Sequence, residues 1–255
     1  MTKGYATTRD GTSIYYEVLG NGEALTLVEG LGYAHWMWKE QLQLSELFKL
    51  IIFDNRGVGL SAKPNKPYTM QEFANDIADL LSHLNIKKTF IWGVSMGGMI
   101  AMQFAVSYGN LVNGLILGET NFGIYSLPPS KEALEVLLKP PDATLDKKQA
   151  MLERMKVAFS DEFVKNNIKK IEEIIELRMN FDEDPIAYKN QLAATLTFDF
   201  KDQMKKIKCP TLIVTGDMDK VVNPSNSYII NQYIPNSKLI VLKGAGHLAI
   251  IERAK

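Results

Sequence analysis

Ser95 stands between glycines in Gly93-Val94-Ser95-Met96-Gly97-Gly98, directly after the apolar run Phe90-Ile91-Trp92. A serine hydroxyl is a weak nucleophile at neutral pH and needs a base within hydrogen-bond reach. The chain has three histidines. His83 falls in an amphipathic stretch at 80–84 and suits a structural role. His35 follows Leu31-Gly32-Tyr33-Ala34 in a loop and suits a structural or pocket-lining one. His247 closes Gly244-Ala245-Gly246-His247 just after the last apolar run, where glycines permit a loop that reaches toward a nucleophile. His247 is therefore the expected base. A carboxylate must fix the tautomer of such a histidine and stabilise its cation. Asp217, Asp219 and Glu119 each follow an apolar run, and spacing alone leaves all three open.

Presenting such a serine requires a tight strand-to-helix turn, in which small neighbours let strand and helix approach and the helix aims its positive end at the hydroxyl. The chain supplies matching elements. Short apolar runs at 25–28, 50–53, 90–94, 115–117, 211–215 and 239–242 read as strands buried on both faces. Most lie between stretches of helical spacing at 36–48, 70–84, 98–106 and 225–233. Asp10-Gly11 separates an opening hairpin. The pattern predicts an α/β fold with a mostly parallel central sheet flanked by helices. The rhythm stops at 121–206, where Pro128-Pro129 and Pro140-Pro141 punctuate charged amphipathic stretches at 147–159, 161–179 and 185–196. We expect a core of residues 1–120 and 207–255 carrying a helical insertion at 121–206. The insertion leaves the sheet at the carboxyl ends of its strands, where ligands collect, so it is placed to act as a lid.

Composition narrows the function classes. Lys+Arg and Asp+Glu both number 29, so no basic surplus points to nucleic acid. The single cysteine, Cys209, cannot form an internal disulfide and reads as a small core residue, consistent with a reducing compartment. No apolar run approaches the roughly 18 residues of a membrane span, and the first residues lack the apolar stretch of a signal peptide. A soluble cytoplasmic protein without membrane partners is the expectation. Three scattered histidines and one cysteine offer no metal-ligand spacing, and no phosphate-binding glycine loop is present, so neither metal nor cofactor is expected.

Taken together, these residues resemble the α/β-hydrolase superfamily, in its branch with a helical cap. Gly30-Leu31-Gly32 with Trp38 downstream looks like that family's oxyanion loop, and residues 54–61 look like its D-x-R-G-x-G-x-S turn. Gly216-Asp217-Met218-Asp219 with Val221-Val222-Asn223-Pro224 looks like its acid loop, in which the acid stands three places after the glycine. The resemblance thus selects Asp219 as partner of His247, and the backbone N–H groups of Leu31 and Met96 as the oxyanion hole. Around the serine, the sequence is most similar to esterases, 3-oxoadipate enol-lactonases and cofactor-free perhydrolases. Haloalkane dehalogenases and epoxide hydrolases of this fold carry aspartate at the position of Ser95, which disfavours those chemistries. The chain departs from the family at Glu29, where histidine is usual, and in its short stretch after His247. A carboxylate there is expected to point away from the oxyanion or to pair with a donor such as Arg56.

The resemblance implies hydrolysis of a small ester or lactone through an acyl-enzyme. Trp36, Trp38, Met99, Phe122 and Tyr125 are the expected pocket residues, and Asp54 and Arg56 the expected structural ones. Perhydrolysis, aminopeptidase action and C–C bond hydrolysis use the same triad, and a non-enzymatic small-molecule receptor can keep the same fold. Oligomeric state is left open.

Overall fold

The computed structural model describes residues 1–138, 144–181 and 184–254. Pro140-Pro141, expected to punctuate the insertion, lie outside the described residues. Asp10-Gly11 closes the expected hairpin between β1 (Thr2–Thr7) and β2 (Ser13–Leu19). The chain continues through β3 (Glu23–Val28), a 3₁₀ helix (His35–Glu46), β4 (Phe48–Phe53), α1 (Met70–His83), β5 (Thr89–Val94), α2 (Met96–Ser107) and β6 (Val112–Gly118). Five helices follow: α3 (Lys131–Leu138), α4 (Lys147–Lys156), α5 (Asp161–Asn166), α6 (Ile168–Met179) and α7 (Pro185–Leu196). A 3₁₀ helix (Lys201–Lys206), β7 (Thr211–Gly216), α8 (Ser225–Tyr233), β8 (Ser237–Leu242) and α9 (Ala249–Glu252) complete it.

The strands form an eight-stranded sheet in the order β1-β2-β4-β3-β5-β6-β7-β8. β2 is antiparallel to both its neighbours, and every other pairing is parallel. Strand order reverses between β3 and β5, so the loops leaving their carboxyl ends diverge and open a crevice. Val28 is paired with Gly93, which brings the residues after both strands to the same height. This register sets Glu29–Gly32 beside Ser95.

Two apolar clusters hold the sheet. One packs α1, α2 and α8 against one face, with Phe73, Ile77, Ile100, Phe104 and Ile230 buried. The other joins the first 3₁₀ helix, α4–α6 and α9 to the opposite face through Trp38, Met155, Phe163, Ile175 and Ile251. Thr69 caps α1, its Oγ1 accepting from Glu72 N at 3.1 Å. The expected long helix over 161–179 is interrupted at Asn167 (φ −133°), whose Nδ2 donates to Phe163 O and competes with the helical ladder. Helix α3 was hidden in the sequence by Pro128-Pro129; Ser130 caps it through Ala133 N. No helix among the described residues is long and apolar enough to cross a membrane.

Helix α2 lies almost on the backbone of β3. A Cβ at Gly97 would collide with Val28 O, and would lie 2.7 Å from Val28 C and 2.8 Å from Glu29 O. These are backbone atoms with no freedom to yield. Gly97→Ala is therefore expected to lower unfolding stability by about 1–3 kcal/mol in urea titrations. Gly109→Ala, whose Cβ meets nothing within 4 Å, should stay within about 1 kcal/mol of wild type.

Candidate active site

The turn between β5 and α2 holds Ser95 at φ 57°, ψ −122°. An L-residue in this region costs of order 1–3 kcal/mol and persists only where the surroundings enforce it. Here Ser95 N donates to Gly118 O at 3.0 Å, and Ser95 O accepts from Gly98 N at 2.9 Å and from Thr120 Oγ1 at 2.7 Å. The half-buried side chain lies beside the loop after β3, with its Cβ 3.1 Å from where a Cβ on Gly30 would stand. Ser95 Oγ makes no hydrogen bond among the described residues. Catalytic hydrogen bonds are often open in ligand-free enzymes and tighten around substrate.

His247 and Asp219 are joined directly, with Nδ1 2.8 Å from Oδ2. Asp219 Oδ1 accepts from Val221 N and Val222 N, both at 2.8 Å, which fixes the carboxylate. With Nδ1–H donating to the carboxylate, the imidazole keeps a lone pair on Nε2. The other two candidate acids are otherwise engaged. Asp217 accepts from Gly244 N at 2.6 Å and pairs with Lys243, as a turn cap. Glu119 is buried at φ 43°, with neither carboxyl oxygen hydrogen-bonded. Burial, followed by the charges of Asp219 and Glu252, raises its pKa well above the ordinary value, so its surroundings disfavour the charged form. Glu252 steadies the histidine loop: its carboxylate accepts from Gly246 N at 3.0 Å, Ser160 N at 2.8 Å and Ser160 Oγ at 2.7 Å. Leu248 N also donates to Ala158 O at 2.9 Å.

The loop after β3 passes Ser95 on the other side. The N–H groups of Leu31 and Met96 make no hydrogen bond among the described residues, so both remain available to an incoming oxygen. Of the two alternatives expected for Glu29, pairing with a donor is the one seen, although the donor is not Arg56. Arg56 is taken by Asp76, at 2.6 and 2.7 Å, and by Asp10 at 3.0 Å. Glu29 Oε2 instead accepts from Gly30 N at 3.2 Å, while Oε1 has no partner. Complete burial pushes its pKa up to about 8; the Gly30 N–H opposes the shift and the charge of Asp54 adds to it. Held neutral, the side chain places no negative charge beside the Gly30–Gly32 loop. Asp54 has the structural role expected of it, accepting from His35 N at 2.6 Å, His35 Nδ1 at 2.8 Å and Leu60 N at 2.8 Å.

The expected pocket residues divide. Trp36 is half-buried and stacks on Phe181. Trp38 is fully enclosed against Trp92 in the core, so it offers no surface to a substrate. Met99 and Phe122 are also buried, in the cluster around α1 and α2. Tyr125 is 59% exposed beneath Lys201 Nζ, away from enclosed surface. Sequence reasoning passed over Gln191, which is wholly buried on α7 between Ala187 and Ala194. Its signal was the spacing i, i+4, i+7, which puts a polar residue on the apolar face of that helix. No group of three or more potential metal ligands occurs among the described residues.

Comparison with known proteins adds to this geometry. A family model described as the alpha/beta hydrolase fold matches residues 23–254. A 3-oxoadipate enol-lactonase of Acinetobacter baylyi is 25% identical, over 96% of this chain and 90% of its own length. The structure of a thermophilic esterase from Thermogutta terrifontis superimposes with a TM-score of 0.79 at 29% identity, covering 99% of this chain and 94% of the esterase. An esterase from Exiguobacterium antarcticum, at 24% identity, shares the fold with a TM-score of 0.85 over 99% of this chain and 95% of its own.

Glu29 makes stability depend on pH. In the unfolded chain it ionises near the ordinary 4.5, and in the folded one at about 8. Its contribution is intact below about pH 4.5 and is lost as pH rises through about 8. The Tm of wild type relative to Glu29→Gln should therefore fall between pH 5 and 8. A difference that stays constant over that range would contradict a neutral buried Glu29.

Proposed function

Because the chain belongs to the alpha/beta-hydrolase fold family, we propose that it is a serine hydrolase acting on small carboxylic esters or lactones through an acyl-enzyme. The observation that carries this reading is the buried His247–Asp219 hydrogen bond of 2.8 Å, in a chain whose Ser95 is held in a strained turn at the switch point of the sheet. The similarity to an enol-lactonase and to esterases supports the substrate class.

In this mechanism Ser95 Oγ attacks the ester carbonyl carbon while His247 Nε2 takes the hydroxyl proton. Asp219 stabilises the imidazolium and keeps Nδ1 protonated throughout. The carbonyl oxygen becomes an alkoxide between the N–H groups of Leu31 and Met96, reinforced by the positive end of α2. Collapse breaks the bond to the alcohol oxygen, which leaves with the proton from His247. In a lactone, that alcohol remains tethered to the acyl group. Water, deprotonated by His247, then attacks the acyl carbon, and Ser95 is released with its proton restored. Residues 121–206 act as the lid over this site, and Trp36 with Phe181 forms part of its apolar wall.

A chain-length series of p-nitrophenyl esters and a panel of small lactones, run on wild type, Ser95→Ala and Asp219→Asn, tests the proposal. Ser95→Ala should lower kcat by about 10⁴-fold or more while the circular dichroism stays unchanged. Asp219→Asn should cost about 10⁴-fold, because the wrong tautomer then faces the serine. Turnover that survives in Ser95→Ala, or folded wild type with none on any ester or lactone, would overturn the reading; the latter result moves the weight to ligand binding without hydrolysis.

A further inference from the structure

A fully buried glutamine inside an amphipathic helix is costly unless both ends of its amide are satisfied. Gln191 satisfies both, and with partners in two different loops of the core. Its Oε1 accepts from Gly32 N at 3.0 Å, in the loop after β3, and its Nε2 donates to Arg56 O at 2.8 Å, in the turn after β4. Only this orientation of the amide serves both partners, since one is an N–H and the other a carbonyl. Gly32 is the residue next to Leu31, whose N–H is the oxyanion donor proposed above, and it sits at φ 72°.

Other side chains of the same helical segment close on the same loop. The Tyr188 ring packs so tightly on Gly32 that a Cβ there would stand 3.0 Å from it. The Arg178 guanidinium lies 5.0 Å over the ring of Tyr33. Phe181 meets His35 edge-on at 5.5 Å and stacks on Trp36 at 6.3 Å. Residues 32–36 are thus gripped from above by α6, α7 and Phe181, and from below by Asp54 through His35.

We propose that Gln191 is a positioning residue through which the lid sets the oxyanion hole. With α7 docked, its amide fixes the peptide of Gly32 and, through it, the direction of the Leu31 N–H. When α7 lifts, Gly32 N and Arg56 O lose their shared partner and the loop relaxes. Closure over a substrate and assembly of the oxyanion hole are then one event. The proposal rests on the serine-hydrolase reading for its catalytic consequence, and on the geometry alone for the clasp.

The test compares wild type, Gln191→Leu and Gln191→Glu by steady-state kinetics on a p-nitrophenyl ester and by hydrogen–deuterium exchange of the peptide spanning 30–36. Gln191→Leu should lose about tenfold or more in kcat, part of the effect of deleting an oxyanion donor outright, with KM changed much less and with faster exchange at 30–36. Gln191→Glu can accept from Gly32 N in either protonation state but can donate to Arg56 O only when protonated. Its kcat relative to wild type should therefore rise as pH falls, a trend that a purely packing role does not produce. Unchanged exchange, unchanged kcat, or a loss confined to KM would overturn the proposal. If Gln191→Leu fails to fold, the pH trend of Gln191→Glu decides. Should wild-type turnover prove independent of Ser95, the serine-hydrolase reading fails and the catalytic coupling falls with it; exchange at 30–36 still decides whether the clasp exists.

Discussion

The backbone of Ser95 is held at φ 57°, where an L-residue does not rest unless forced. What forces it is the sheet. Gly118 at the end of β6 takes its N–H, Thr120 takes its carbonyl, and α2 is pressed so near β3 that only glycine fits at 97. Because β3 and β5 are neighbours at the point where strand order reverses, the loop after β3 is delivered to the same place. The candidate nucleophile and the candidate oxyanion donors are therefore consequences of one topological feature. The histidine arrives separately, from the far side of the sheet after β8, and is tied to the acid after β7 by a single 2.8 Å bond.

The helical segment between β6 and β7 touches both of these loops. Ser160 at the start of α5 shares the Glu252 carboxylate with the histidine loop, and Leu248 N reaches Ala158 O. On the other side, Gln191 and its neighbours grip the loop after β3. Both loops lie outside the strands and α-helices of the described residues. Both are held by the same helical segment, which packs on the sheet through its apolar side chains. The burial of Glu29 as a neutral carboxyl fits the proposed mechanism, in which an ionised group at that position would oppose a developing oxyanion.

Much of this was legible in the amino-acid order. The apolar runs had the length and spacing of buried strands, and each appears as a strand within two or three residues of the expected bounds. The G-x-S-x-G turn announced a strained serine because its small neighbours have no other use. Spacing alone leaves Asp217, Asp219 and Glu119 open and the acid-loop resemblance selects Asp219; hydrogen bonding separates a turn cap, a histidine partner and a buried carboxyl without a partner. Trp38 was misplaced because an aromatic near an oxyanion loop has the same local sequence whether it lines a pocket or fills the core. For Glu29 the sequence leaves open whether it turns away or finds a donor; Arg56 is saturated by Asp76 and Asp10, and the donor is the neighbouring Gly30 N–H. Gln191 escaped notice because its partners are more than a hundred residues away, beyond any local pattern.

The central claim, that Ser95 is a nucleophile activated by His247, is tested most directly by covalent capture. Wild type and His247→Ala would be incubated with a fluorophosphonate, and the products followed by intact mass and peptide mapping. The account predicts a single adduct on Ser95, formed in folded wild type and slowed by orders of magnitude in His247→Ala. An unlabelled Ser95 in a folded protein, or labelling at Ser95 that proceeds equally fast without His247, would contradict it.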